Sequence, residues 1–274
     1  MSRPLWFVQL LKKIFPTRYH LARWTRVPLF DRLVEACFFA GDRIFCLPQD
    51  QALRTIQIDQ PVALPEEVVL PSQVVEYFIK QAKTHWLMNT CLCREANHCQ
   101  SYPTELGCLF LGEAAAGINP RLGRPVTKIE ALAHVRRCRE AGLVHVIGRS
   151  RVDAFWLGVG PAEKLLTICN CCPCCCLISV SPHLAPRLGA RITRLPGVSI
   201  TVNERCLGCG TCAAGICVVD AISLLNGRAV IGDACRGCGR CVAVCPQQAI
   251  ELAVEDDQFV TGAIARLSPL IEVI

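Results

Sequence analysis

Two cysteine runs near the C-terminal end constrain this chain more than anything else in it: CLGCGTCAAGIC, starting at Cys206, and CRGCGRCVAVCP, starting at Cys235. In the second run Cys235, Cys238 and Cys241 are spaced C-x2-C-x2-C, and three residues lead on to Cys245 and Pro246. That spacing wraps three thiolates around a cubane iron–sulfur cluster and lends the fourth to a neighbouring cluster. It assigns Cys206, Cys209, Cys212 and Cys245 to one 4Fe-4S cluster, and Cys235, Cys238, Cys241 and Cys217 to a second. The crossed ligands tie the two halves together. Gly208, Gly210, Gly237 and Gly239 lie between the cysteines, where the backbone must turn tightly and a Cβ would obstruct its approach.

The repeat extends past the ligands. Ala221 and Ile222 in VVDAISL match Ala249 and Ile250 in PQQAIEL, each entering a short apolar strand. One departure stands out: four residues rather than three separate Cys212 from Cys217, and no proline follows Cys217. The first loop should therefore be slightly wider. Structural zinc sites are the alternative, but zinc knuckles use pairs of C-x2-C rather than triplets.

A chain of 274 residues with 21 cysteines could be a disulfide-linked secreted protein. However, LWFVQLL is short, runs into Lys12 and Lys13 and is not followed by a small-residue cleavage site, and no run reaches the roughly 20 apolar residues that span a bilayer. Reduced, metal-bound thiolates in an anaerobic cytoplasm are the expectation. The formal charge of +6 omits the clusters, each of which carries about two negative charges when oxidised. A basic total is thus poor grounds for a nucleic-acid partner, and none is expected.

Arg3, Lys12, Lys13, Arg18, Arg23, Arg26 and Arg32 crowd residues 1–34, interleaved with Trp6, Phe7, Leu10, Leu11, Ile14, Phe15 and Trp24. Such basic amphipathic helices pack on their own protein, dock on a partner or lie on an anionic membrane surface. A helix over LFDRLVEACFFAG should stop at Gly41, with short strands at DRIFCLP and ALRTIQI. The pattern next predicts a helix over SQVVEYFIKQAKTHWLMN, with Val74, Val75, Phe78 and Ile79 on its apolar face. A second helix opens on a capping box of Thr127 and Glu130 and stops near Gly142. LVHVIGR and DAFWLGVG then read as two apolar stretches of a hairpin. A helix running into a hairpin raises a winged-helix DNA-binding reading, although no separate recognition helix is evident.

The middle of the chain carries two more cysteine groups. CLCREANHC supplies Cys91, Cys93 and Cys99, with Cys108 beyond it; CNCCPCCC supplies Cys169, Cys171, Cys172, Cys174, Cys175 and Cys176. One cubane takes only four terminal ligands, so six thiols in CNCCPCCC exceed a single site. Alternation along an extended segment, bent at Pro173, fans them toward at least two directions. The economical reading is that part of this motif meets Cys91, Cys93, Cys99 and Cys108 around one further iron–sulfur or metal centre, against buried or redox-active thiols. Cys37, Cys46 and Cys138 are isolated and read as packing residues. His98 is a candidate ligand or outer donor, and more often such a histidine is neither.

From about residue 30, the segments VLPSQVVEYF, LGCLFLGEA, FWLGVGP, CNCCPCCC and the two cysteine runs together resemble a family of uncharacterised two-cluster 4Fe-4S ferredoxin-domain proteins of anaerobic bacteria and archaea. The resemblance implies a 4Fe-4S protein with an added Cys-rich N-terminal domain, and no known substrate. The expected fold is α+β: basic helices and short strands over 1–70, a Cys-rich helix and hairpin domain over 71–196, a two-cluster ferredoxin domain over 197–255 and a tail over 256–274. The expected function is one-electron transfer to or from a partner redox enzyme. LGVGP lacks the G-x-G-x-x-G turn of a dinucleotide site, so a self-contained reductase is not indicated. The alternatives are an oxidoreductase with its active site in the middle cysteines and an iron–sulfur sensor.

Overall fold

In the computed structural model, which describes residues 2–52, 70–254 and 258–273, the basic N-terminal segment coils into α1 (Leu5–Ile14), α2 (Arg18–Trp24) and α3 (Phe30–Val34). The last runs into a π-helical turn at Glu35–Phe39, and the chain reverses at Gly41, whose φ is 72°. One face of this segment is anchored. Val8, Phe15 and Ala22 are buried, Lys12 pairs with Glu95 at 2.6 Å, and Arg26 donates to the carbonyls of Pro182 and His183. The opposite face keeps Trp6 (67% exposed), Trp24, Leu29 and Leu33 in solvent. The strand expected at ALRTIQI lies, from Leu53 onward, outside the described residues.

The centre is a seven-stranded mixed sheet. Its strands are β1 (Arg43–Cys46), β2 (His85–Met88), β3 (Leu109–Leu111), β4 (Gly123–Pro125), β5 (Val144–Arg149), β6 (Leu166–Cys171) and β7 (Ile192–Arg194), in the order β4-β2-β3-β6-β5-β1-β7. Only the β1–β7 pairing is parallel. β1, from the N-terminal segment, therefore sits between β5 and β7. Two helices cover one face: α4 (Ser72–Gln81), which buries Val74, Val75, Phe78 and Ile79, and α6 (Lys128–Glu140). The capping box forms as expected, with the Glu130 amide donating to Thr127 Oγ1 and the Thr127 amide to the Glu130 carboxylate. After α6, Gly142 turns the chain at φ 74°.

Two expectations fail here. α4 ends at Gln81 because Ala82 is extended (ψ 143°), and HWLM becomes β2, paired on both sides within the sheet. DAFWLGVG does not form the second arm of a hairpin. Ser150 Oγ caps the Asp153 amide at 3.2 Å and starts α7 (Arg151–Leu157), while β5 pairs instead with β6 and β1. The helix-hairpin unit behind the DNA-binding reading is therefore not formed.

α5 (Leu92–Ala96) follows β2, and α8 (Pro186–Gly189) precedes β7. The C-terminal part then holds β8 (Val198–Val202), the hairpin of β9 (Ile222–Leu225) and β10 (Arg228–Ile231), α9 (Arg240–Val244) and β11 (Ile250–Val254). β8 pairs antiparallel with β11. α10 (Phe259–Leu267) packs back on the core beside α4, burying Phe259, Ala263 and Leu267. Among the described residues, no helix is long and apolar enough to cross a membrane.

Candidate metal centres

The two C-terminal cysteine runs fold as copies of one another. Gly208 and Gly237 have φ of 66° and 68°, and Gly210 and Gly239 both have φ of 79°. Each second glycine leads into a helical turn carrying the third cysteine, at Thr211–Ala213 in one copy and α9 in the other. Three residues after Cys217 and Cys245, Asp220 and Gln248 both take φ of 48°. That bend lets the next amide turn back, so Ala221 N–H donates to Cys217 Sγ and Ala249 N–H to Cys245 Sγ, each at 3.2 Å. The extra residue of the first copy is absorbed at Gly215, where φ is 72° and the amide folds back on the Ala213 carbonyl.

The copies create two hollows. Cys206, Cys209, Cys212 and Cys245 line one. Cys217, Cys235, Cys238 and Cys241 line the other. Each hollow thus gathers three cysteines of one run and the last cysteine of the other. Amides also aim at Cys206 Sγ, from Ala229 at 3.3 Å, and at Cys235 Sγ, from Gly237 at 3.4 Å. Soft thiolate donors in fours, with N–H groups directed at sulfur and mostly apolar walls, fit an iron–sulfur cluster.

The surroundings of the two hollows differ. The first opens at the surface beside exposed Cys209, Leu207 (71% exposed) and Leu224. The second faces inward. The Gln49 amide donates to the Cys238 carbonyl at 3.0 Å, and buried Arg240 reaches the carbonyls of Cys171 and Gly142.

The ten middle cysteines sort into two groups. Cys99, Cys172, Cys174 and Cys175 bring their sulfurs within 4.8 Å of one another. Cys91, Cys93, Cys108, Cys169, Cys171 and Cys176 form a separate row. In it Cys108 Sγ lies 3.5 Å from Cys169 Sγ, and Cys176 Sγ lies 2.8 Å from Cys171 Sγ. Hydrogen bonds from Cys108 and Cys93 hold the Cys91 thiol well below the usual range, and those from Cys169 and Cys176 do the same for Cys171. The row leads to the second hollow, since Cys171 and Cys176 pack in one cluster with Cys46, Cys217, Cys235 and Cys238. None of the 21 cysteines is joined in a disulfide.

A polar network that spacing did not reveal supports these groups. Arg94 is wholly buried, donates to the carbonyls of Asn170 and Leu106, and lies against Cys91, Cys172 and Cys108. Its Nε has no partner among the described residues. A buried guanidinium without a carboxylate needs negative charge nearby, which thiolates supply. Asn170, between two cysteines of the motif, accepts at Oδ1 from His145 Nδ1 at 2.8 Å and donates to the Gly107 carbonyl at 2.7 Å. Burial, with Arg139 nearby, pushes His145 down to about 4.

Among the isolated cysteines, burial raises Cys138 to about 12, in keeping with a packing role, and its sulfur lies 3.5 Å from His134 Nε2. Cys37 is exposed. Cys46 is buried beside Cys171 and Cys238, a proximity that its solitary place in the sequence did not signal. His98 takes a positive φ of 49° at the turn before Cys99 and is not part of the group of four clustered thiols.

No curated protein and no solved structure matches the chain. Residues 213–255 match the family model of the LdpA Fe-S cluster-binding domain. The matched stretch includes Cys217, Cys235, Cys238, Cys241 and Cys245, and stops short of Cys206, Cys209 and Cys212. Together with the clustered thiols, this similarity identifies the chain as an iron–sulfur protein.

Proposed function

We propose that the chain is an electron-transfer protein with two [4Fe-4S] clusters of the ferredoxin type, one on Cys206, Cys209, Cys212 and Cys245 and the other on Cys217, Cys235, Cys238 and Cys241. The observation that carries this reading is the pair of hollows, each lined by four thiols with the crossed sequence pattern. Bound there, the clusters would supply two adjacent one-electron stations. The protein's own part is to exclude water and to set the charge. Amides on Cys206, Cys217, Cys235 and Cys245 favour the reduced, more negative state. The exposed apolar rim of the first hollow fits the docking of a partner redox enzyme, so electrons enter or leave there. Twenty-one cysteines without a disulfide fit a reducing, anaerobic cytoplasm.

A second reading has one specific support: the six-thiol row that ends against the second hollow. It makes the chain an oxidoreductase in which the C-terminal part feeds a centre built on those thiols.

Anaerobically purified full chain should hold about eight irons and eight labile sulfides in the two C-terminal sites. Cys209→Ser and Cys238→Ser should each remove about half of that iron, and the reduced protein should pass electrons to a viologen or protein acceptor without consuming a substrate. A zinc-only preparation would sink the cluster assignment. Turnover of a small molecule would favour the oxidoreductase, and specific retention of DNA would favour a sensor.

A further inference from the structure

We propose that Cys99, Cys172, Cys174 and Cys175 hold one tetrahedrally coordinated thiophilic divalent ion, zinc or iron, separate from the two clusters. The distances decide the class of site. Cys174 Sγ lies 3.7 Å from Cys99 Sγ, 3.6 Å from Cys172 Sγ and 3.6 Å from Cys175 Sγ. A metal–thiolate bond of about 2.3 Å places the corners of a regular tetrahedron about 3.8 Å apart. A cubane instead puts each thiolate on a different iron, outside a body of eight atoms, and holds its ligands much further apart. The four sulfurs are therefore spaced for a single ion.

The surroundings complete a closed structural site. Cys99 leaves the turn after α5, and the amides of Ser101 and Tyr102 point at its sulfur. Cys172, Cys174 and Cys175 come from the turn around Pro173 at the end of β6. Cys172 and Cys175 lie in an apolar shell with Leu106, Leu143 and Tyr102, while Cys174 stands at the surface, where an ion can enter. Arg94, fully buried with its Nε unpartnered, donates to Cys172. Four thiolates around a divalent ion carry two net negative charges, and this guanidinium offsets one of them. The ion would pin the loop from Cys91 to Cys108 onto the CNCCPCCC turn. Because that is a structural role, it does not depend on the two clusters.

The test is metal analysis of anaerobically purified full chain and of the double variant Cys99→Ser/Cys174→Ser. The variant should lose one metal ion per chain while the cluster EPR signals stay unchanged. If the lost ion is zinc, no EPR signal accompanies it. If it is iron, the oxidised wild type shows an isolated high-spin ferric signal that the variant lacks. Loss of about four irons with their sulfide, or no change in metal content, overturns the proposal. Since the double variant can fail to fold, the single variant Cys174→Ala at the exposed rim, which removes one donor, is read beside it. An outer partner alone is worth about ten-fold in metal affinity, so removing a direct ligand should weaken retention of the extra ion against a chelator by at least that much. Release identical to wild type also overturns it.

Discussion

His145 offers a measurement that needs no knowledge of the redox partner. It lies in β5, 4% exposed, with Nδ1 bonded to Asn170 and Nε2 without a partner among the described residues. Burial depresses it to about 4 from the ordinary histidine value of about 6.5. The unfolded chain binds this proton before the native chain does, so stability is complete above pH 6.5 and is lost as pH falls toward 4. The full difference is about 3 kcal/mol at 1.36 kcal/mol per unit. At pH 5 the native site is still mostly neutral while the unfolded histidine is almost fully charged, so about 2 kcal/mol is already gone. His145→Gln keeps a hydrogen-bonding group beside Asn170 and does not titrate. Urea unfolding followed by tryptophan fluorescence at pH 7.5 and pH 5 should show the wild type losing about 2 kcal/mol more than the variant. Since acid loss of clusters affects both proteins alike, only the difference between them is read. Equal losses in the two proteins would refute the assignment of a neutral, buried His145.

Cys245→Ala should abolish the cluster signal of the Cys206, Cys209 and Cys212 hollow and spare that of the Cys235 loop, as read by EPR; the reverse pattern would break the crossed assignment. Gly208→Ala should cost about 1–2 kcal/mol from the positive φ alone, and more from its Cβ pressing on the Gly227 carbonyl. The first hollow should then lose its share of the iron, and full iron content with an unchanged melting point would contradict the close approach. Arg240→Met should leave the buried Cys171 carbonyl without this donor, lowering stability by about 1–3 kcal/mol in denaturant titration. An unchanged midpoint would count against Arg240 as a fastener.

The parts of the molecule governed by local rules were legible in the sequence. The capping box at Thr127, the turns at Gly41 and Gly142 and the apolar face of α4 follow from neighbouring residues. The matched glycines and the strands after Ala221 and Ala249 follow from a repeat. The sheet was harder to read, because its strands are short, drawn from distant positions and mostly buried on both faces, so period-two alternation is absent from HWLM and from β3. At residues 150–157 apolar content masked a local signal: Ser150, three residues before Asp153, is a helix start. Spacing showed that CNCCPCCC had too many thiols for one site but not how they would divide, since Cys99 joins Cys172 rather than Cys91 only through the turn at His98 and the placing of α5 beside β6.

The fastening of the second hollow bears on how fast charge can move. Gln49 binds the Cys238 backbone and, through its side chain, the Gly142 carbonyl at 3.1 Å, while Arg240 spans the same seam from the other side. A carrier swinging on a linker must find its docked pose before each transfer, in microseconds to milliseconds. Here the thiol row and the second hollow are already docked. On the electron-transfer reading proposed above, exchange across the seam should therefore be indifferent to solvent viscosity, whereas exchange through the open first hollow should slow in proportion as glycerol is added.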